Sequence, residues 1–588
     1  LNQSGESTGK QKDNTNVSYL VNYKLGPWTA DLSLLYSRAR EQRGGLEYGT
    51  IGNTPVRLSR VGFTAQRPSI DSSEWTITQT SGADWYNWAS WGVFDAQDVN
   101  SNSQYGKTEQ YTAKLDLKRV MNWTVPTTLQ AGVARNVLFK HRWVSESMVA
   151  RYVGPTGNAL TSPMPLSQAT FLIDKGWGGG LQPFPVVNKE ALYTYWRTTP
   201  AYFTQSESNL ATQLNNVLAS PQSNQEDVEA GYVMAQSRVG KWQFVGGARL
   251  ESTHTRSTVP GEVPIRDNPY AIYNPVTKVY TAAATRNFVN YRFSKGRETT
   301  FGNYHDVMPS AAIKYTVRDN LFLKLGYNKA IKRPDLNRTA GPWSIDIDQE
   351  FGDLTITIPN PALKPERSER ISLMAEYYFE PAGSLSVHVF QSDITNAIDD
   401  KAEGITAEEA GFGDDPALAG YFFRTFSNLD EKRTVRGIEL SYSQQLRFLP
   451  TEVLRGLTVF GTYSHFAATP RPRTGTRFVP TILTGGVKWS YRKFYAEVNG
   501  TWTDKTYTGS NTVSSTTTVA RAGEEEFFKP RLILFTSLRY RLNNNLSLFV
   551  AGDRAYDSGK IWYYRSDGRI RQVENYGSQW SFGLKGEF

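Results

Sequence analysis

There is no cysteine among the 588 residues of this chain. That excludes a disulfide scaffold, a thiolate metal site and a cysteine nucleophile together. Histidine is nearly as scarce, at five residues, so no metal site is expected. No apolar run reaches the roughly 18 residues a transmembrane helix needs, and mean hydropathy is −0.48. A helical membrane protein is thereby excluded. A membrane β-barrel is not, because only alternate residues of a spanning strand face lipid and the average stays polar. Basic blocks and recognition modules are also missing. The net charge of +9 is scattered through strands and loops. It reads as lumen lining and contacts to anionic lipid heads, with no nucleic acid partner. There is no nucleophile elbow, phosphate loop or dinucleotide fingerprint. Asp504, Tyr507, His465 and Glu524 to Glu526 form no catalytic set. No enzyme activity and no cofactor are expected. The start at Leu1 lacks the charged and apolar regions of a secretory signal, which is therefore processed or not included.

What is present is aromatic and alternating. Aromatic residues make up 13% of the chain, with 32 Tyr and 15 Trp, as interfacial girdles require. Near the C-terminus Trp580, Phe582, Leu584, Gly586 and Phe588 fall on one side of a strand, and Gln579, Ser581, Gly583, Lys585 and Glu587 on the other. The same period recurs in Val17, Tyr19, Val21, Tyr23 and Leu25, and in Trp28, Ala30, Leu32, Leu34 and Tyr36. It returns in Trp242 to Leu250, Ile371 to Phe379, Leu483 to Tyr491, Leu532 to Tyr540 and Leu546 to Val550. The intervening positions are polar, charged or small, among them Lys24, Arg249, Glu251, Lys324, His388 and Glu497.

A soluble sandwich would alternate too. Two features separate the cases. The apolar faces end in Tyr or Trp, and the connections alternate between short and long. Short ones fall near 26–27, 120–125, 240–241, 318–320, 381–383, 449–456, 492–493 and 543–545. Long ones span roughly 41–105, 145–226, 258–304, 335–366, 401–434, 509–527 and 557–577. Short periplasmic turns and long extracellular loops are the rule for outer-membrane barrels. The expected fold is all-β, a transmembrane antiparallel β-barrel of about 17 visible strands, occupying 1–588 as one domain. The first strand, 15–25, and the last both run from outside to periplasm. The chain is thus expected to begin partway round a barrel, unless a strand was overlooked within 72–105.

The terminal strand resembles the assembly signal of bacterial outer-membrane barrels, carried here by Trp580, Phe582, Leu584 and Phe588, with Gly586 a departure from the usual large residue. Three further stretches resemble TonB-dependent transporters. They are Asn303 to Tyr315 continuing through Leu321 to Pro334, then Asn360-Pro361-Ala362-Leu363-Lys364-Pro365-Glu366 with Arg367 to Arg370, and Gly246 to Glu251. The resemblance covers most of 230–588. It implies a barrel of about 22 strands, plugged by an N-terminal domain whose short box contacts a TonB-type energy-transducing protein. Neither plug nor box is visible here. It also implies a solute ligand, a ferric chelate or an oligosaccharide, held between plug and external loops in the bacterial outer membrane. The assembly machinery, outer-membrane lipid and lipopolysaccharide are the other expected partners.

Candidate ligand contacts are loop aromatics, which stack on sugars and planar chelates and attract cations. One group is Trp85, Tyr86, Trp88 and Trp91; another is Tyr193, Tyr195, Trp196, Tyr202 and Phe203. Packing within the loops is the competing role. Arg249, Glu251, Glu366, Arg367 and Arg370 are candidates for lumen or plug contacts, against a local charge network. Asp346, Asp348, Glu350 and Asp353 lack the EF-hand spacing and read as a solvated loop. A passive porin and an outer-membrane hydrolase are the alternative functions.

Overall fold

A computed structural model describes residues 2–3 and 9–586, except 71, 73, 92–97, 163, 172–183, 264, 276–278, 340–343, 348–353, 361, 399–402, 406–420, 472–477, 511–524 and 566–567. Phe588 and the acidic residues Asp348, Glu350 and Asp353 lie outside the described residues, as does the side chain of Asp346.

The wall is an antiparallel meander. Its strands are β1 (Gly9–Leu25), β2 (Trp28–Gly44), β3 (Asp98–Met121), β4 (Thr127–Tyr152), β5 (Gln222–Val239), β6 (Trp242–Pro260), β7 (Arg297–Arg318) and β8 (Leu321–Lys332). They continue with β9 (Glu366–Phe379), β10 (Gly383–Thr395), β11 (Arg433–Gln445), β12 (Leu457–Thr469), β13 (Thr481–Tyr491), β14 (Phe494–Thr503), β15 (Arg531–Arg541), β16 (Leu546–Asp557) and β17 (Gln579–Gly586). Ladders join each strand to the next in sequence, and the sheet curves into a barrel. Among the described residues no ladder joins β1 to β17. The segment Thr76–Ser81 is a strand, but it pairs with Gly62–Gln66 in a separate hairpin and adds nothing to the wall. Among the described residues no helix is long and apolar enough to cross a membrane.

The register decides which side chains face lipid. On β6, Trp242, Phe244, Gly246, Ala248 and Leu250 lie opposite Tyr315, Ile313, Ala311, Pro309 and Val307 of β7. Together they form the outward apolar band. Its members are exposed rather than buried between sheets, as a sandwich would have them: Tyr19 is 61% exposed, Leu250 59%, Phe582 83% and Leu584 62%. In a bilayer these faces meet acyl chains, and the ladders satisfy the backbone groups that lipid cannot. Opposite positions line the lumen with paired polar groups: Lys324–Glu376 at 2.6 Å, His388–Glu439 at 2.9 Å, and the Tyr232 hydroxyl donating to Asp116 at 2.5 Å. A Cβ on Gly132 would stand 2.4 Å from Asp116 Oδ1, so this close approach requires glycine.

Turns at the periplasmic end are tight. Gly26 adopts φ +56° in the two-residue link to Trp28, a conformation glycine takes without a Cβ penalty. At the other end β3 to β7 run to 24, 26, 18, 19 and 22 residues, against 12 for β8 and 14 for β9. The loop bounds read from the sequence, 41–105, 145–226 and 258–304, left out the tops of β3, β4 and β7 and only a few residues of β5 and β6. Above the band both faces turn polar, so the period vanishes from the sequence while the ladder continues. For the same reason β1 begins at Gly9 rather than 15, and β7 at Arg297 rather than beyond 304. Pro309 interrupts the wall on one side. It has no N–H to give, and the β7–β8 ladder ends one residue away, at Ser310 opposite Asn328. Above that row β7 and β8 part.

Candidate functional site: an extracellular vestibule and its aromatic cap

The loops between β2 and β3 and between β4 and β5 fold into a small core of their own. Ile51, Leu58, Val99, Met148 and Leu192 are almost wholly buried there, with Leu46, Val56, Tyr152 and Phe203. Helix α1 (Lys189–Thr198) starts where Asn188 Oδ1 accepts from Ala191 N at 2.9 Å. Helix α2 (Glu207–Leu218) starts in a capping box between Ser206 and Asn209. Each cap meets orphan amides of the first turn.

The first aromatic group divides on this core. Trp85 is 4% exposed and Trp91 8%. Trp91 Nε1 donates to the Trp85 carbonyl at 2.8 Å, and its ring stacks on Trp88 with centroids 5.7 Å apart. These two rings hold the cap together and present no free face to a ligand. The sequence left ligand contact and packing within the loop both open for the group and could not say which rings turn inward. Tyr86 is exposed, and Trp88 is half-buried with Nε1 donating to the Met164 carbonyl at 3.3 Å. In the second group Tyr195 and Trp196 are half-buried on α1, edge-on to Tyr202 at 5.4 Å and Phe203 at 5.2 Å. Burial, with Tyr195 and Tyr202 alongside, pushes the Tyr152 hydroxyl beneath them up to about 12.

Below the cap the lumen mouth is basic. Inward-facing Lys12, Arg43, Lys140 and Arg142 line a cavity of about 510 Å³ with Asn14, Gln104 and Asn224. The carboxylate there is Glu41, already held by Lys10 at 3.0 Å and Lys12 at 3.4 Å. Such a pocket attracts anions through a focused positive potential. Sequence reading treated these cations as scattered lining; only the register brings cations from three strands, β1, β2 and β4, to one level.

The predicted lumen residues meet on the far side of the tall strands. Arg249 pairs with Glu251 at 2.7 Å. Glu251 also accepts from Arg333, which reaches Thr253 Oγ1 at 3.3 Å. Arg367 donates from Nε to the buried Asp306 at 2.6 Å. These two arginines bridge the gap where β7 and β8 part. Glu366 accepts from the Ile398 amide at 2.9 Å and lies 3.5 Å from Lys332. Arg370 stands apart, stacked over the Phe390 ring at 3.6 Å. Arg333 and Asp306 were missed in the sequence; a proline three residues after Asp306, inside a strand, was the available signal. Burial pushes the carboxyl of nearby Glu226 up, opposed by Arg333 and Lys140.

The Asn360 to Glu366 motif is a three-loop hub. Asn360 donates to the Phe426 carbonyl at 2.9 Å, and Asn428 exchanges hydrogen bonds with the Lys364 backbone while also donating to the Asn396 carbonyl. Leu363 and Pro365 are buried beneath it. Among the described residues no cluster of three or more metal-ligating side chains exists.

A lipid-facing aromatic band on an antiparallel barrel with short turns at one end and a polar lumen defines a bacterial outer-membrane β-barrel. The family model described as "TonB dependent receptor-like, beta-barrel" matches residues 43–553. The chain belongs to the TonB-dependent receptor β-barrel family, and neither a porin nor a hydrolase finds support. Among solved structures it is similar to the ferric-catecholate import receptor Fiu of E. coli K12 in its closed form, at TM-score 0.53 and 13% identity, over 99% of this chain and 65% of that one. It also matches the siderophore receptor PiuA of Acinetobacter baumannii, at TM-score 0.47 and 10% identity over 99% and 75%. A third match is the ferripyoverdine receptor of Pseudomonas aeruginosa, at 0.48 and 11% over 100% and 67%. The chain thus spans 65% of the length of the first of these. No curated protein sequence matches it.

Proposed function

We propose that the protein serves in import of an anionic ferric chelate across the outer membrane, energised by a TonB-type transducer acting through a plug domain of the kind the family carries. The observation behind this reading is the basic vestibule, where Lys12, Arg43, Lys140 and Arg142 gather round Glu41 beneath the cap. Anionic iron chelates are drawn into such a mouth by long-range attraction, and the half-exposed Tyr86, Trp88, Tyr195 and Trp196 offer faces for their planar groups. Family membership supports the same reading. Arg249, Glu251, Glu366 and Arg367 are proposed plug-facing groups, Arg370 with them. Trp580, Phe582, Leu584 and Phe588 are the proposed signal to the assembly machinery.

The test uses the full-length protein in a strain lacking its own iron receptors. Radioactive iron uptake is measured from a ferric catecholate and from ferric citrate, beside uptake of a labelled neutral oligosaccharide. Iron uptake that requires the transducer, and falls at least about tenfold in Arg43→Glu/Lys140→Glu, is expected. Oligosaccharide uptake indifferent to the charge reversal would replace this reading with a sugar importer.

A further inference from the structure

The top of β7 has a bare side. Its ladder with β6 runs from Tyr315 opposite Trp242 to Arg297 opposite Pro260. Its ladder with β8 reaches only as high as Ser310. From Arg297 to His305 no strand borders the β8 side among the described residues. The arginine clasps cross on the lumen face, through the side chains of Glu251, Thr253 and Asp306, and leave this backbone edge untouched.

The two ends of the β6 ladder fix which backbone groups the edge presents. At the lower end the Thr316 amide donates to the Lys241 carbonyl at 2.9 Å, and at the upper end the Gly261 amide donates to the Gly296 carbonyl at 2.8 Å. Both β7 residues are even-numbered, and the register between them carries no bulge. Even-numbered residues of β7 therefore turn their N–H and C=O groups to β6, and odd-numbered ones turn theirs the other way. Arg297, Thr299, Phe301, Asn303 and His305 thus hold out backbone groups without a strand partner along a line of about 27 Å. Pro309 belongs to the same phase. Its missing N–H falls on this side, beside the row where the β8 ladder stops.

Such an edge is a template for another extended chain. Side chains of the odd-numbered row face outward beside it. Phe301 is 72% exposed, with Arg256 6.0 Å from its ring centre. Arg256 and Arg297 make no ion pair among the described residues. No lysine lies between 297 and 309 to blunt the edge. A second copy of this chain does not fit there. Two barrels in one membrane are related by an axis along its normal, and facing strands tilted near 40° would cross at about 80° instead of lying side by side.

We propose that this edge takes up an extended segment of an extracellular polypeptide as an added antiparallel strand. Backbone hydrogen bonds give the affinity, and cross-strand neighbours give the choice of sequence. The matching segment carries a large apolar residue opposite Phe301 and a carboxylate opposite Arg297. The inference uses the edge of the wall and no cargo contact, so it and the import reading stand or fall separately.

The test takes the full-length protein in phospholipid nanodiscs and a fluorescent nonapeptide of serine and threonine, with phenylalanine at its centre and aspartate at its C-terminal end. Saturable binding is expected. N-methylation of the central residue and its second neighbours removes the N–H groups that would meet β7 and should weaken binding at least about tenfold. N-methylation of the residues between them spares those groups and should cost less than about threefold. Asn303→Pro removes an edge N–H in the phase where the strand already holds Pro309, and should also lose about tenfold. Asn303→Ala should bind as wild type does, and Phe301→Ala should lose about two- to fivefold. Heat-modifiable migration checks that each variant is folded. Absence of saturable binding, equal loss from the two methylation patterns, or a folded Asn303→Pro variant that binds as wild type does would each overturn the inference.

Discussion

Trp85→Ala separates a structural tryptophan from a ligand contact. The ring is 4% exposed and packs in the cap core, with Phe63 at 6.4 Å and Tyr86 at 6.1 Å. Truncating a large buried aromatic costs about 3–5 kcal/mol. At about 1.4 kcal/mol per decade, local opening of the cap should rise by roughly two to three and a half orders of magnitude. The wall should not notice, because its ladders run strand to strand without this residue. Limited proteolysis of the folded barrel reports the open fraction when reclosing outpaces cleavage. Cleavage within 45–97 should therefore accelerate about a hundredfold or more, while heat-modifiable migration stays that of wild type. Tyr86→Ala, at an exposed position, is the control and should change cleavage less than about fivefold. If Trp85→Ala resists protease as wild type does yet loses ligand binding, the cap-core reasoning is wrong and the ring is a contact after all.

Arg367→Ala leaves Asp306 buried without its partner, and losing half of a buried pair costs about 3–5 kcal/mol; hydrogen exchange should rise in the upper part of β7 and not in 311–318. Glu226 has its carboxyl pushed up by burial. A raised acid carries a penalty that is absent below its unfolded pKa and grows as pH rises through the folded one. Glu226→Gln should thus raise the melting temperature at pH 8 and leave it unchanged at pH 4, by no more than about 1 kcal/mol given the group's partial exposure. An equal gain at both pH values would remove the titration argument.

Sequence alternation located the seventeen wall strands and every periplasmic turn, because a lipid boundary imposes one rule on every strand that crosses it. The rule stops at the boundary. It therefore missed the tops of β3, β4 and β7, the hairpin role of Thr76–Ser81, and the helices of the cap. The vestibule was illegible for another reason. Lys12, Arg43, Lys140 and Arg142 are distant in sequence and become neighbours only through ladder register. Arg249 and Glu251 did fall together, and Arg367 joins them through Asp306, which lies opposite Glu251 near the Pro309 break, whereas Glu366 pairs with Lys332. The fate of Trp85 and Trp91 turned on side-chain packing, which one-dimensional spacing does not encode.

The parting of β7 and β8 above Ser310 and Asn328 gives the barrel two mechanical zones. Below that row each neighbouring pair of strands from β1 to β17 is joined by a ladder, so those joints open only by tearing backbone bonds. Above it the staves are free along one joint, and what closes the joint is a pair of arginine clasps, Arg333 on Glu251 and Arg367 on Asp306. Side-chain clasps exchange with water and with arriving anions; ladders do not. The rim at the β7–β8 joint can therefore widen or tighten while the laddered part of both strands beneath it keeps its register.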